Sequence, residues 1–473
     1  MPVPLSDRVR SALARLDIGG PVVVGASGGV DSTVLWRLLH EAGVATVGVH
    51  VNYGLREGSG ADAASVQALG AELGMPVEVR RVRLPVEGNT QEAAREERYV
   101  AFAEAARRHG AGAVAVGHTA DDQAETVLLN LVRGAGLAGL GGMAEARPLA
   151  VDDPGGVRLV RPLLGATRAE VEALARSRGW PWSEDATNAE GLYRRNRIRH
   201  GALPLLAEEG GPGTVRRIAA AAEAVREASG AVAARLDRVG TPLPGGGAVP
   251  LAALRVLHPA ERRALVAEVL RRYAPEAPRS AAAVARVAAL VDAAVGARVE
   301  LGPADAWRER QRLAVLARRA PWAGAAVHVG GAVRAPGGTL SLRPLAEVPR
   351  TFGADPHRAV LDARALSGPL AVRPWREGDR LRPLGAPGSR LVSDVLTGAR
   401  VPPSERRAQP VLVAGASGDR VVWVVGLRLA HAARVTPETA HAVEAVWTPE
   451  ASGGAASGGA ASGGAASGGA ASG

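Results

Sequence analysis

Two spacings of apolar residues alternate along the first two hundred positions of the chain. Short β-branched runs such as residues 21–26 and 45–51 predict buried strands, whereas residues 31–40 carry apolar side chains at helical spacing and predict a helix. The same criteria predict further strands at 77–82, 113–117 and 159–164, and further helices at 61–73, 89–108, 120–133 and 167–178. This alternation predicts an α/β fold with a mainly parallel sheet that has helices on both faces.

The pattern changes after residue 212. Residues 213–320 are rich in Ala and Arg and predict a helical domain, with a break near 241–250. A β-rich connector is predicted over 321–353, followed by a small C-terminal α/β domain over 354–448. Residues 449–473 consist mostly of Ala, Ser and Gly, and such a segment cannot offset its ordering entropy, so a disordered tail is expected.

The composition excludes several classes of protein. No run of about 18 apolar residues occurs, so no transmembrane helix is expected. The first twenty residues lack the apolar stretch of a signal peptide, and we expect a cytoplasmic protein without a membrane partner. The chain has no cysteine, which excludes disulfides, thiolate metal sites, iron–sulfur clusters and a cysteine nucleophile.

The formal net charge is +10, and because the chain contains no lysine, arginine carries all the fixed positive charge of its side chains. Guanidinium groups bind phosphate through paired hydrogen bonds and stack on bases, so this surface suits a nucleic acid. The same charge would also keep an ordinary protein soluble. Composition alone leaves both interpretations open.

A glycine-rich loop joins the first predicted strand to the next helix. Its residues are Ser27, Gly28, Gly29, Val30, Asp31 and Ser32. Glycines let backbone N–H groups approach phosphate oxygens, and the helix N-terminus adds partial positive charge. An acid at Asp31 makes sense beside phosphates if it holds Mg²⁺. The loop lacks the Gly-Lys-Ser/Thr ending of a Walker A motif and resembles the PP-loop of N-type ATP pyrophosphatases, which implies ATP as substrate.

A second motif at the end of the strand 113–117 contains His118, Asp121, Asp122 and Glu125. Three- and four-residue spacings place the acids on shared faces of the following helix. Acids in a first helical turn often serve only to complement the helix dipole. Their clustering with a histidine at the carboxyl edge of a parallel sheet favours a ligand site instead.

Arginines form two further clusters. Arg95 and Arg98 share one helical face, and residues 194–199 contain Arg197 and Arg199 within a dense cationic run. Either cluster could hold ATP phosphates or an RNA backbone. The alternative for both is solvated helix surface.

Several segments together resemble the bacterial tRNA(Ile)-lysidine synthetase family. In the first half of the chain these segments are 50–62, 89–99, 117–143, 161–171 and 182–200. The stretches that resemble the family's C-terminal domain are 375–380, 393–394 and 421–428. The resemblance implies a PP-loop catalytic domain over 1–212 and tRNA-binding roles for the domains at 213–320 and 354–448.

The resemblance also implies the reaction, which makes the protein a ligase that forms a C–N bond. The wobble cytidine of a tRNA(Ile) with a CAU anticodon attacks the α-phosphate of ATP through its C2 oxygen, and pyrophosphate leaves. The ε-amine of free lysine then displaces AMP from C2, which gives lysidine. The reaction needs cationic groups at the phosphates and acids that bind the lysine ammonium group.

Residue roles follow from the motifs and the resemblance together. The predicted catalytic residues are Asp31, Asp122, Glu125 and Arg197. ATP is assigned to the residues 27–32 and to Arg199, and Asp31 is the expected Mg²⁺ ligand. Lysine is assigned to Arg95, His118, Asp121, Asp122 and Glu125, one of which could remove its proton. The predicted tRNA contacts are Arg373, Arg376, Arg380 and Arg390.

Two alternatives remain at this stage: another PP-loop ATP-dependent ligase, and a non-catalytic RNA-binding protein with a PP-loop fold. An intact Ser27–Ser32 loop and intact acids disfavour a non-catalytic protein. The basic charge and the additional domains disfavour a ligase for a small molecule. The oligomeric state is open, with a homodimer as one expectation.

Overall fold

The computed structural model describes residues 3–53, 59–82, 90–149, 156–183, 194–349, 351, 355–416 and 420–450. The chain divides into two compact units, residues 1–235 and 236–473, and each is described by itself. The predicted tail beyond Glu450 lies outside the described residues, as do parts of the motif segments 50–62, 89–99 and 182–200.

The first unit alternates strands and helices. Its strands are β1 (Val22–Gly25), β2 (Thr46–Asn52), β3 (Val77–Arg81), β4 (Ala113–Ala115), β5 (Ala146–Pro148) and β6 (Arg158–Val160). Its helices are α1 (Leu5–Arg15), α2 (Val30–Glu41), α3 (Ser59–Leu73), α4 (Thr90–His109), α5 (Ala120–Val132), α6 (Leu137–Leu140), α7 (Arg168–Ser177), α8 (Arg194–Arg197), α9 (Leu203–Gly210) and α10 (Thr214–Val239). A π-helical turn, Ile198–Ala202, joins α8 to α9.

The sheet of the first unit has the strand order β3-β2-β1-β4-β6-β5. Its strand pairs are parallel, apart from β5 against β6. Val22 and Val24 pack into one apolar cluster with Trp36, whereas Val23 packs into a second with Phe102. Successive residues of a strand point to opposite faces, so helices cover both faces of this sheet and the predicted α/β class is confirmed.

The strand order decides where a ligand can bind. The chain moves outward from β1 to β2 and β3, then returns to place β4 on the other side of β1. The carboxyl ends of β1 and β4 therefore flank the point where the order reverses, and open α/β sheets bind ligands in that crevice. The glycine-rich loop follows β1, and the motif with three acids follows β4.

Several elements of this unit were not predicted, among them α8, α9 and the π-helical turn between them. Helix α1 buries Val9, Ala12 and Leu13. The four-residue α6 and the three-residue β5 are too short to carry a periodic signal. The predicted capping box of α7 is confirmed, since the Thr167 N–H donates to Glu170 Oε2 at 2.8 Å.

The first part of the second unit corrects the expectation of a mostly helical segment. Helices are present as predicted: the end of α10, then α11 (Leu251–Arg255), α12 (Pro259–Tyr273) and α13 (Ala281–Ala289). They accompany an unpredicted antiparallel sheet of five strands, in the order β7-β8-β11-β10-β9. Its strands are β7 (Thr241–Leu243), β8 (Gly246–Pro250), β9 (Arg298–Glu300), β10 (Ala304–Arg308) and β11 (Arg312–Ala317).

The rest of the second unit contains two larger sheets and a two-stranded one. Its strands are β12 (Ala325–Val327), β13 (Ala332–Ala335), β14 (Gly338–Leu345), β15 (Arg358–Asp362), β16 (Leu370–Pro374), β17 (Arg380–Leu381), β18 (Arg390–Leu391), β19 (Pro410–Ala414), β20 (Arg420–Val424), β21 (Arg428–Leu429) and β22 (Ala442–Pro449). Its α-helices are α14 (Val392–Gly398) and α15 (Pro403–Arg406). The sheets run β12-β16-β19-β20-β21, β13-β14-β22-β15 and β17-β18.

Strands of the predicted connector are members of these sheets. β12 pairs with β16, and β14 pairs with β22 along its whole length. Leu342, Leu361 and Leu412 share one buried cluster. The boundary expected at residue 353 therefore does not separate two sheets. Within the described residues, no helix has both the length and the apolar content needed to span a bilayer.

Candidate active site

The loop between β1 and α2 is held by its own polar groups. Gly28 has φ +88°, which favours glycine, and its carbonyl accepts a hydrogen bond from the Ser183 N–H at 2.9 Å. Ser32 Oγ lies 3.1 Å from Ser27 Oγ and donates to the Gly29 carbonyl at 3.0 Å. No side chain caps the N-terminus of α2, so its first N–H groups can bind an anion.

The end of β4 lies directly beside this loop. A Cβ atom on Gly117 would be 2.8 Å from the Asp31 carbonyl carbon and 3.0 Å from Ser32 N. Only a glycine lets the two backbones approach this closely. The two motifs found in the sequence are therefore adjacent, and Gly117, which was not among the predicted site residues, is what permits the contact.

Asp31 has an unsatisfied carboxylate oxygen. Oδ1 is buried and has no hydrogen-bond partner, while Oδ2 lies 3.6 Å from Arg168 Nη1. Burial raises the pKa of Asp31 to about 7, against the lowering effect of Arg168. An orphaned buried carboxylate oxygen beside an anion site is suited to a hard divalent cation such as Mg²⁺.

Asp122 and Glu125 converge, as the sequence predicts, but the groups they meet are two guanidiniums. Arg195 contacts Asp122 Oδ1 at 2.8 Å and Glu125 Oε2 at 2.7 Å. Arg199 contacts Glu125 Oε1 at 2.5 Å and Asp122 Oδ1 at 3.3 Å. The side chain of Glu125 is 1% exposed and that of Asp122 15%. The buried Glu125 and the part-buried Asp122 thus hold both arginine side chains in place.

The cationic run 194–199 is arranged differently from the prediction. Arg197, predicted to be catalytic, is exposed, and its side chain makes no hydrogen bond or ion pair with another described residue. Arg195 takes the position at the acids. The sequence spacing indicates the same pairing, because Arg195 and Arg199 are four residues apart and share a helical face on which Arg197 does not lie.

Asp121 and Asp122 turn to different partners although they are neighbours. Asp121 Oδ2 accepts a hydrogen bond from the Arg168 N–H at the start of α7, at 2.7 Å. Burial raises the pKa of Asp121. Asp122 Oδ2 accepts from the Thr119 N–H at 2.9 Å and so caps α5 as well as binding arginine. One oxygen of Asp122 thus caps the helix, while the other binds the two arginines.

His118 is bonded to a buried arginine. Arg161 is 2% exposed, and its Nε donates to His118 Nδ1 at 3.1 Å. The Arg161 Nη1 atom donates to the Ala144 carbonyl at 2.7 Å. Burial is the main reason that the pKa of His118 is lowered to about 4; Asp122 acts in the opposite direction, and Arg161 acts in the same direction as burial.

Arg95 and Arg98 face aromatic rings and no acid of the cluster. The Arg95 guanidinium lies 5.5 Å from the centre of the Tyr99 ring, and Arg147 lies 5.1 Å from the same ring. Arg98 lies 5.7 Å from the ring of Tyr53. Both arginines of α4 are exposed, so they remain accessible to a ligand.

The predicted tRNA contacts divide into two groups. Arg376, Arg380 and Arg390 are exposed. Arg373 is buried, and its guanidinium makes two hydrogen bonds to Asp379, at 2.8 and 2.9 Å. The assignment of Arg373 to tRNA is therefore wrong, because a buried guanidinium held by a carboxylate cannot reach a phosphate.

Comparison with protein families places the chain in a class. Residues 7–206 match the family described as the PP-loop domain, and residues 370–447 match the TilS substrate C-terminal domain. The fold, the loop at the switch point of the sheet and the first match define a PP-loop ATP-binding protein.

Whole-chain relatives narrow this class to one family. The tRNA(Ile)-lysidine synthase of Solibacter usitatus is 36% identical over 428 residues, which is 86% of this chain and 93% of the relative. The tRNA(Ile)-lysidine synthase of Symbiobacterium thermophilum is 36% identical across 96% of this chain and 100% of the relative. That of Thermus thermophilus is 36% identical across 92% of this chain and 74% of the relative. The chain belongs to the tRNA(Ile)-lysidine synthase family.

Proposed function

We propose that this enzyme uses ATP to adenylate the wobble cytidine of a tRNA(Ile) with a CAU anticodon, and then joins free lysine to it. The observation that carries the proposal is the uncapped PP-loop at the switch point, with Asp31, Arg195 and Arg199 around it. The relatives that align along most of the chain support the same function.

In the first step the protein supplies charge and position. The N–H groups at the start of α2 bind phosphate oxygens, and Arg168 and Arg199 offset the negative charge that develops on them. The C2 oxygen of cytidine bonds to the α-phosphorus as the bond to pyrophosphate breaks. Asp31 would hold Mg²⁺ through Oδ1, and the ion would neutralise phosphate charge.

In the second step the lysine ε-amine bonds to C2, and AMP leaves with the oxygen. Lysine arrives as an ammonium ion, and Asp122 and Glu125 are the proposed acceptors. In the structure these two carboxylates are already paired with the guanidinium groups of Arg195 and Arg199. We therefore propose that Arg195 and Arg199 turn toward the phosphates when ATP binds, which frees the carboxylates for the ammonium group. Asp121, whose pKa is raised by burial, is the acid best suited to take its proton.

Binding of the tRNA is assigned to surfaces away from the chemistry. The exposed Arg376, Arg380 and Arg390 are proposed to contact its phosphates, and the segment 213–320 is proposed to contribute further contacts. The homodimer stays a prediction.

Mass spectrometry of tRNA nucleosides after incubation with ATP and lysine tests the function directly. We expect lysidine in the wild type and none in Asp31→Asn. Pyrophosphate release that needs tRNA but yields no lysidine would indicate another PP-loop ligase. Absence of tRNA-dependent pyrophosphate release would indicate a non-catalytic RNA-binding protein.

A further inference from the structure

His118 lies beside the acid cluster, and the residue type alone allows two opposite roles for it. An imidazole can accept the proton that lysine loses, or it can donate a hydrogen bond to a substrate. Which nitrogen carries the proton decides between the two roles, and the partner of the other nitrogen decides where that proton sits.

The partner of Nδ1 is Arg161. A guanidinium has only donor hydrogens and stays charged in proteins, so a nitrogen that it contacts must be an acceptor. Arg161 Nε donates to His118 Nδ1 at 3.1 Å. Nδ1 therefore carries no proton, and the neutral ring carries its proton on Nε2. A protonated ring, with donors on both nitrogens, would oppose the arginine hydrogen.

Arg161 cannot easily move away from this position. Its side chain is buried, and a second nitrogen, Nη1, donates to the Ala144 carbonyl at 2.7 Å. Arg161 starts the segment that leaves β6, which lies between β4 and β5 in the sheet. Breaking the contact would leave a buried guanidinium donor unpaired, which is unfavourable because the group has no water to bond instead.

The remaining charges around His118 are mixed. Asp122 favours the protonated ring, whereas Arg161, Arg195 and Arg95 disfavour it, and burial disfavours it most. The pKa of His118 is lowered to about 4, which agrees with a neutral ring at physiological pH. Among the described residues, no acceptor is bonded to Nε2, so none of them competes with a ligand for its hydrogen.

We propose that His118 is a fixed hydrogen-bond donor to an anionic oxygen of a substrate and not the base that deprotonates lysine, and that Arg161 is the positioning residue that holds it so. The proposal rests on the proposed function for the identity of the substrates. An Nε2–H group cannot bind the lysine ammonium, which has no acceptor. Its partner is a phosphate oxygen of ATP or the carboxylate of lysine.

Two substitutions of His118 separate a donor from a base. His118→Gln keeps an N–H donor near the position of Nε2 but has no basic nitrogen, whereas His118→Ala keeps neither. We expect His118→Ala to lower kcat/KM for lysidine formation about 100-fold, as loss of one preorganised donor does, and His118→Gln to retain activity within about tenfold of the wild type. Equal loss in both variants would overturn the donor role.

The same variants identify the substrate oxygen. A rise in KM for lysine in His118→Ala, with tRNA-dependent pyrophosphate release unchanged, assigns the oxygen to the lysine carboxylate. A slower release of pyrophosphate assigns it to ATP. Either result supports a donor, and unchanged kinetics in both measurements would overturn it.

Nitrogen NMR on protein with ¹⁵N-labelled histidine rings measures which ring nitrogen of His118 is protonated. The measurement does not require the enzyme to be active. The chain has ten histidines, and the spectrum of His118→Gln identifies the resonance of His118 by its absence. We expect the Nε2–H tautomer at neutral pH in the wild type, and a mixture of tautomers in Arg161→Gln. Arg147→Gln is the matched control, since Arg147 faces the same Tyr99 ring as Arg95 but does not contact His118.

An Nδ1–H tautomer or a protonated ring in the wild type at neutral pH would refute the proposal. The NMR result does not depend on catalysis. If the wild type makes no lysidine yet shows the Nε2–H tautomer, the proposed function fails while the assignment of the proton stands. If Arg161→Gln does not fold, the wild-type tautomer and the two His118 variants still decide the question.

Discussion

The backbones of Gly117 and Asp31 pack against each other, although the two residues are 86 positions apart: a Cβ on Gly117 would be 2.8 Å from the carbonyl carbon of Asp31. Asp31 lies at the start of α2, which follows β1, and Gly117 lies just after β4. This contact brings the phosphate loop and the acid motif together at one edge of the sheet. It also makes the geometry of the loop sensitive to a single methyl group.

Gly117→Ala is expected to displace the loop. The clash is with backbone atoms, which cannot rotate away, so we expect a destabilisation of about 1–3 kcal/mol and a loss of pyrophosphate release of at least about tenfold. Gly112→Ala is the control, because a Cβ there meets nothing within 4 Å. Thermal unfolding and tRNA-dependent pyrophosphate release measure both effects. Wild-type values for Gly117→Ala would show that the contact is not needed.

Asp31→Asn should abolish ATP turnover and remove a pH dependence of stability. The folded-state pKa of Asp31 is raised to about 7 by burial, so the folded protein keeps a proton that the unfolded chain loses near pH 4. Its contribution to stability is therefore full below about pH 4 and is lost as the pH rises through 7, by on the order of 1–4 kcal/mol. Unfolding in denaturant from pH 4 to 8 without Mg²⁺ tests this. Parallel curves for wild type and variant would contradict the buried, protonated state.

The acid pair is expected to serve the lysine step and to hold two arginines in place. The double variant Asp122→Asn/Glu125→Gln should still release pyrophosphate on addition of tRNA, but should form little lysidine even at high lysine. It should also unfold more easily by about 1–3 kcal/mol, since buried hydrogen bonds to charged groups are lost. Glu104→Gln, which breaks an exposed pair with Arg80, is the control and should change stability by less than about 0.5 kcal/mol.

The outcome separates three roles for these acids. If the double variant loses pyrophosphate release as fully as Asp31→Asn, the acids act on ATP by orienting Arg195 and Arg199. If lysidine forms with a normal dependence on lysine, the acids are only structural.

Arg195 and Arg197 should differ although both lie in one short cationic run. Arg195→Gln removes contacts to both Asp122 and Glu125, and we expect a loss of lysidine formation of about tenfold or more. Arg197→Gln should have a clearly smaller effect, since its side chain is exposed. Single-turnover rates at saturating tRNA compare the two. A larger loss in Arg197→Gln would restore the prediction from sequence.

The exposed arginines of the second unit should bind tRNA phosphates. Replacing Arg376, Arg380 and Arg390 by Gln should weaken tRNA binding and make the plot of log affinity against log salt shallower, by about 0.9 for each lost phosphate contact on a duplex. Arg373→Gln should instead lower the stability of the unit, because it removes two buried bonds to Asp379. An unchanged salt slope in the triple variant would argue against docking through this surface.

Local patterns in the sequence were sufficient for the PP-loop and for the α/β class. The loop from Ser27 to Ser32 is recognisable because strand, glycines and helix follow one another directly. The same is true of α7, whose cap residues Thr167 and Glu170 are three positions apart. Such elements can be predicted from the spacing of apolar residues, because strands and helices each have their own spacing, set by the local backbone conformation.

Contacts between distant positions were decided by the tertiary structure. Glu125 meets Arg195 across 70 positions, and Arg161 meets His118 across 43, because the sheet brings the ends of different strands to one edge. The sequence predicts Arg373 to be a surface cation. In the structure Arg373 lies on β16 and is buried, and its guanidinium is hydrogen-bonded to the carboxylate of Asp379. The sequence by itself determined which residue types were available at the site. The tertiary structure decided which of these residues face a substrate, because burial and pairing depend on neighbours that are distant in the sequence, and local spacing does not specify them.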